Sequence, residues 1–69
     1  MIRTGTQVKW KWGNGTAEGK VTETYTETTT KTIKGNEVTR KGTDEDKALL
    51  IEQKDGDRVL KLESEVERA

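Results

Sequence analysis

The chain has 69 residues, which limits it to one small domain, because a polypeptide of this length buries only roughly 60% of its unfolded surface. It has no cysteine and no histidine, which excludes a disulfide framework, a thiolate metal site, and the commonest general base and zinc ligand. Its 13 basic and 13 acidic residues cancel, so we expect no large electrostatic field of one sign.

The first half of the chain begins with a predicted β-hairpin. Val8, Trp10 and Trp12 alternate with polar residues, which is the period of two that a half-buried strand shows. Residues 13–15 read Gly-Asn-Gly and predict a turn, because glycine and asparagine tolerate positive φ. A second strand then follows over about 16–27.

A threonine-rich stretch follows, and it predicts an exposed β-arm over residues 28–41. Threonine favours extended structure, but this stretch has almost nothing to bury. A two-residue turn at Gly35-Asn36 would join its two strands. That turn places Ile33 opposite Val38 and Lys31 opposite Arg40, the latter being a like-charge pair.

The last third of the chain predicts a second hairpin. Residues 48–51 form the densest apolar run and indicate a strand covered on both faces, so either Leu49 or Leu50 faces away from the main core. We expect the arm or a second copy of the chain to cover that side. An Asp-Gly turn over 54–57 leads to a strand over 58–62. The Ser-to-Glu spacing within 64–67 predicts one closing helical turn.

Together these elements predict an all-β fold, a small closed or nearly closed barrel of about five strands with an extra hairpin arm. Closure removes the exposed edges that so small a sheet would otherwise present. Gly19 predicts a bulge or a close backbone approach within the second strand. The predicted core comprises Val8, Trp10, Val21, Leu50 and Leu60, with Val66 at one end.

Three blocks of sequence, 8–21, 32–40 and 51–61 followed by 64–65, resemble the hypervirulence-associated Tudor-like domain family, a set of small and mostly bacterial proteins. The resemblance covers nearly the whole chain. It departs from the family pattern at Lys47, where proline is common. It implies a single SH3-like (Tudor-like) domain over residues 1–69, and it implies little about activity, because a fold does not fix a function.

Four residues are candidates for a binding site. Trp10 is central in its strand and is expected in the core, whereas Trp12 adjoins the glycine turn and is expected to be partly exposed and able to stack on a ligand. Tyr25 is a candidate second stacking surface. Lys31 and Arg40 form a small basic patch on the arm that could contact phosphate.

The same residues argue against catalysis, since the chain offers no base, no activated nucleophile and no metal set. We therefore expect a non-catalytic binding module without cofactor or metal, which recognises a peptide or protein through the barrel rim and the 28–41 arm. The alternative is weak nucleic-acid binding through Lys9, Lys11, Lys31 and Arg40 beside Trp12. No segment reaches the length of a membrane helix or resembles a signal peptide, so a cytoplasmic protein is expected.

Overall fold

The computed structural model describes residues 2–69; Met1, the first residue of the predicted domain, lies outside them. The fold is all-β. Its strands are β1 (Gln7–Trp12), β2 (Gly15–Tyr25), β3 (Thr28–Ile33), β4 (Asn36–Lys41), β5 (Ala48–Gln53), β6 (Arg58–Leu62) and β7 (Glu67–Arg68), and a 3₁₀ turn covers Glu63–Glu65.

Five of the strands form one antiparallel sheet in the order β6-β5-β2-β1-β7, and β3 and β4 form a separate hairpin. The predicted all-β Tudor-like fold, with its hairpin and closing helical turn, is confirmed. The sheet stays open in the described part of the chain, because its edge strands β6 and β7 have no ladder between them. Three pairs of consecutive strands form hairpins: β1 with β2, β3 with β4, and β5 with β6.

One side of the sheet, the core face, carries the main hydrophobic cluster. Period-two alternation directs Val8 and Trp10 of β1 to this face, and both are buried. The remaining buried members of the cluster are Ile2, Val21, Leu49, Ile51 and Val66. Gly19 lies on this face at a point where a side chain has no room. A Cβ there would stand 2.5 Å from Ile51 Cγ2 and 2.8 Å from the Glu52 carbonyl oxygen. The predicted close approach at Gly19 is confirmed.

The ladder between β2 and β5 contains a β-bulge. Val21 pairs with Ile51, but the next paired residue on β2 is Glu23, opposite Leu50, so Thr22 is the extra residue. The Thr22 hydroxyl donates to the Leu50 carbonyl oxygen at 3.1 Å. The bulge therefore changes the alternation of β2 and puts Tyr25 opposite Ala48, on the side of the sheet away from the main cluster.

That second side, the hairpin face, carries Ala48, Leu50 and Leu60. All three residues are buried by the single chain, without a second copy to cover them. All six predicted core residues are buried, as expected. Leu50 and Leu60 lie outside the main cluster, because Leu49 and Ile51 take the core face of β5. Both faces of β5 are nevertheless covered, as its apolar run predicts.

The β3-β4 hairpin covers the hairpin face. Both of its strands lie against β6, and its half-buried side chains alternate with exposed ones. We call the half-buried side its docked face; this face carries Thr29, Lys31, Ile33, Val38 and Arg40. The other side, its free face, is rich in threonine, and Thr30 Oγ1 lies 2.8 Å from Thr39 Oγ1 across the two strands. The arm therefore folds back on the sheet.

The predicted register of this hairpin is wrong. Its turn is Lys34-Gly35, with φ of 51° and 80°, and not Gly35-Asn36. Two successive positive φ values are those of a type I′ turn, in which glycine suits the second position. Lys31 consequently pairs with Val38 and not with Arg40. The observed register removes the like-charge pair that the predicted one contained.

The helical turn also differs in detail from its prediction. Glu65, and not Glu67, makes the capping contact, since Glu65 Oε1 accepts the Leu62 backbone N–H at 2.8 Å. Ser64 instead bonds Asp46 through both its backbone N–H and its hydroxyl, each at 2.8 Å. The turn returns the chain to β7, which pairs with Val8 and Lys9 of β1. Among residues 2–69 there is no helix with the length and apolar character that crossing a membrane requires.

Candidate functional site

Three turns meet at one end of the molecule. The β1-β2 turn and the β5-β6 turn share an end of the sheet because β2 and β5 are antiparallel neighbours. The tip of the β3-β4 hairpin joins them, since Lys34 Nζ lies 2.7 Å from Asp57 Oδ2. Loops held by a rigid sheet are common places for recognition, which makes this end the candidate site.

Trp12 dominates this end. It is 73% exposed, whereas Trp10, two residues earlier on the same face, is 5% exposed. The reason lies in the register, because Trp12 pairs with Gly15, which has no side chain to cover it, while Trp10 pairs with Ala17. The structure thus places Trp10 in the core and exposes Trp12, as the sequence predicts. An exposed indole offers a broad surface for stacking and apolar contact.

A groove of about 370 Å³ runs beside Trp12. Ala17, Ile33 and Val59 give it an apolar floor, since each is half-buried. Its other lining residues are polar or charged: Lys34, Gln53, Asp55, Asp57 and Arg58. An apolar floor with a few polar groups at the rim is the usual composition of a binding groove. We call it the Trp12 groove.

Some charged side chains at the rim of this groove are paired within the chain, and others are not. The hydrogen bond to Asp57 and the charge of that carboxylate raise the pKa of Lys34. Asp55 Oδ1 accepts the Asp57 backbone N–H at 3.0 Å, which fixes the turn. Within residues 2–69, Arg58 has no carboxylate within 4.0 Å. The groove therefore presents one free cation, Arg58, and one exposed carboxylate, Asp55, to a ligand.

Tyr25 and Lys31 lie together, but away from the Trp12 groove. Lys31 Nζ stands 4.9 Å from the centroid of the Tyr25 ring, and the Tyr25 hydroxyl donates to the Glu23 carboxylate. The bulge in β2 produces this arrangement, because it directs Tyr25 toward the docked face of the hairpin. The stack joins the hairpin to the sheet.

Arg40 lies at the other end of β6 from Trp12. Its Nε donates to Glu65 Oε1 at 3.1 Å, and its guanidinium also donates to the Thr39 carbonyl oxygen. Partial burial alone would raise the pKa of Glu65, but the Leu62 backbone N–H and the Arg40 guanidinium outweigh it and lower that pKa. The four predicted site residues thus do not form one cluster, and three of them contact the chain's own groups.

Sequence reasoning missed the partners of Trp12 in the groove. Ile33 belongs to β3 and Arg58 and Val59 to β6, both far from Trp12 in sequence, and none stands in a recognisable motif. The order of the turns could have revealed part of the groove. In an up-and-down sheet the β1-β2 and β5-β6 turns must lie at the same end. The position of the hairpin tip needed the tertiary structure.

The arrangement is suited to non-covalent contact. Among residues 2–69 no group of three or more Asp and Glu side chains comes close enough together to hold a metal ion. The groove offers an aromatic surface, an apolar floor and separate charges of both signs. These are the elements with which small β domains select an extended segment of another molecule.

Comparison with known proteins gives one match. No curated protein and no solved structure matches the chain, so the match is to a family model. The family model described as "Hypervirulence associated proteins TUDOR domain" matches residues 5–66, which is most of the chain. This family suggests a small binding module. The chain therefore belongs to the hypervirulence-associated TUDOR-domain family.

Proposed function

We propose that residues 1–69 act as one non-catalytic domain that binds an extended peptide segment of another protein in the Trp12 groove. The observation that carries this proposal is the 73% exposure of Trp12 beside an apolar floor. An indole left open in so small a protein costs apolar burial that the fold could otherwise use. Exposure of this kind is typical of aromatic anchors in recognition surfaces.

The tip of the hairpin supplies part of the same groove. Ile33 contributes to the floor and Lys34 to the rim, where Lys34 forms an ion pair with Asp57 of the β5-β6 turn. A ligand in the groove would therefore contact the sheet and the 28–41 arm together. An apolar side chain of the peptide would lie on the floor, and the free charges of Asp55 and Arg58 would select its neighbours.

The alternative, weak nucleic-acid binding, receives less support from the positions of the basic residues. Lys9 and Lys11 alternate with Trp10 and Trp12, so they project from the opposite side of β1. Lys31 contacts Tyr25 and Arg40 contacts Glu65. Phosphate binding needs several free cations beside the stacking aromatic. Within residues 2–69, Arg58 is the one cation lining the Trp12 groove that has no carboxylate within 4.0 Å.

A selection experiment separates the two functions. A random peptide library and a random single-stranded oligonucleotide pool would each be selected against the intact chain. Binders would then be tested on Trp12→Ala and on the matched control Lys11→Ala, which alters an exposed neighbour on the other side of β1. We expect selected peptides to lose binding to W12A, to retain it with K11A, and to show a shallow salt dependence.

Peptides that bind W12A as well as the wild type would contradict the proposed groove. Oligonucleotides that bind tightly, with affinity falling steeply as salt rises, would favour the alternative. Thermal unfolding of both variants ensures that a loss of binding reflects the site and not the fold.

A further inference from the structure

Strand β3 has a free edge. It pairs with β4 on one side, and among the strands of residues 2–69 it pairs with no other. Because the two-residue turn makes Ile33 and Asn36 a hydrogen-bonded pair, alternation directs the backbone groups of Thr29 and Lys31 toward β4 as well. The N–H and C=O groups of Thr28, Thr30 and Thr32 therefore point out of the hairpin along this edge.

This edge lacks the protection that the other strand edges have. Strand β7 is two residues long and carries Glu67 and Arg68, and β4 carries Glu37, Arg40 and Lys41. Such short or charged edges resist pairing with another chain. By contrast β3 has six residues, mostly β-branched, and its single charged side chain, Lys31, lies on the docked face over Tyr25. A two-stranded ribbon is also marginal on its own and gains from further strands.

We propose that the β3 edge is a self-association surface, where two copies of this chain pair antiparallel about a two-fold axis at Thr30. The result is a continuous four-stranded sheet in the order β4-β3-β3-β4. The edge is complementary to itself in this register, because Thr30 meets Thr30 of the second copy and Thr28 meets Thr32. All three pairs join residues whose backbone groups point outward, so each can form two hydrogen bonds.

The side chains fit the same register. Threonine stands opposite threonine along the free face, which is a favourable cross-strand pair. Lys31 stands opposite Thr29 of the second copy, so no like charges meet directly. A contact limited to one strand edge is small, and interfaces of that size give weak, concentration-dependent association. The Trp12 groove includes one residue of β3, Ile33, whose backbone groups point toward β4 and not along the free edge. Thr30 lies outside the groove, so the association can be tested separately from the proposed function.

Sedimentation equilibrium over about a hundredfold range of concentration tests the proposal, since a weak dimer dissociates on dilution. We expect the wild type to pass from monomer to dimer, and Thr30→Lys to lose the dimer because two ammonium groups then face each other at the axis. Thr39→Lys is the matched control. It removes the same Thr30–Thr39 contact and adds the same charge, but on β4, and it should dimerise like the wild type.

A charge exchange makes the test specific to this axis. Thr30→Glu alone should also lose the dimer, and an equimolar mixture of T30K and T30E should form a heterodimer that high salt weakens. A wild type that stays monomeric throughout the concentration range overturns the proposal. A dimer that T30K leaves intact, or that T39K abolishes equally, also overturns it. Circular dichroism of each variant at low concentration verifies that the hairpin remains folded.

Discussion

The ammonium group of Lys34 lies 2.7 Å from Asp57 Oδ2 while the backbone of Lys34 holds a φ of 51°. A positive φ is uncommon for a residue other than glycine, asparagine or aspartate, because the Cβ crowds the backbone. The side chain thus contributes a contact to the groove from a position where the backbone is strained. The two effects act on stability with opposite sign, and a pair of variants can separate them.

Lys34→Asn and Asp57→Asn remove the same ion pair, but only Lys34→Asn also relieves the backbone. An Asn-Gly pair is strongly preferred in type I′ turns, whereas an exposed ion pair contributes little. We therefore expect the Tm of K34N to exceed that of D57N and to equal or exceed that of the wild type. Calorimetry of the three proteins measures the difference. A Tm of K34N at or below that of D57N would contradict this assignment of strain.

The two tryptophans should respond differently to truncation. Trp10→Ala removes a large buried side chain and should cost about 3–5 kcal/mol, which nearly unfolds a domain of this size. Trp12→Ala should change the free energy of unfolding by less than about 0.5 kcal/mol, as exposed positions usually do. Iodide quenching gives an independent check, because the fluorescence of Trp10→Phe should be quenched and that of Trp12→Phe should not. Equal protection of both indoles would contradict the groove.

Gly19 and Gly15 form a matched pair within β2. A Cβ at Gly19 would collide with Ile51 and the Glu52 backbone, whereas at Gly15 the nearest atom is 4.0 Å away. Gly19→Ala should therefore destabilise the chain by about 1–3 kcal/mol, as overpacking does, while Gly15→Ala should be close to neutral. Chemical denaturation of both variants measures this. Equal effects would show that Ile51 and the Glu52 backbone shift to admit a methyl group at Gly19.

Glu65 should make stability depend on pH in the acid range. Its folded pKa lies below its ordinary value of 4.5, so the unfolded chain takes up its proton first as pH falls. The contribution is therefore fully present above pH 4.5 and is lost as pH falls through the folded pKa. Arg40→Gln should raise the pKa of Glu65 and reduce this acid dependence, which carboxyl-detected NMR titration can follow. A pKa that Arg40→Gln leaves unchanged would show that the Leu62 N–H alone sets it.

The sequence was most informative where side-chain periodicity and turn chemistry agree. The alternation through Val8 and Trp10 predicts the first strand and its buried side, and Gly19 marks a real close approach. The exposure of Trp12 was also predictable, because a residue beside a glycine turn has few neighbours. The first strand and the exposure of Trp12 depend on residues close in sequence, where local geometry decides the outcome. The close approach at Gly19 joins β2 to β5, but a glycine within a strand pattern is itself a sign of one.

The prediction failed where packing between distant elements decides. The faces of Leu49 and Leu50 could not be assigned, since a continuous apolar run has no period from which a register can be determined. The hairpin register follows from a turn at Lys34-Gly35, where a lysine takes a positive φ that its residue type does not favour. The predicted site residues lie far apart for the same reason. Arg40 lies near one end of β6 and Trp12 near the other.

The unpaired residue Thr22 determines which side of the sheet the later side chains of β2 face. If Thr22 instead paired with Leu50 in a regular ladder, Tyr25 would fall on the side of Leu49, and the ring under Lys31 would be missing. The same slip would move the Glu23 carboxylate toward the main cluster. One unpaired threonine therefore keeps a charge out of the core and places an aromatic ring against the hairpin, which links the two layers of the molecule.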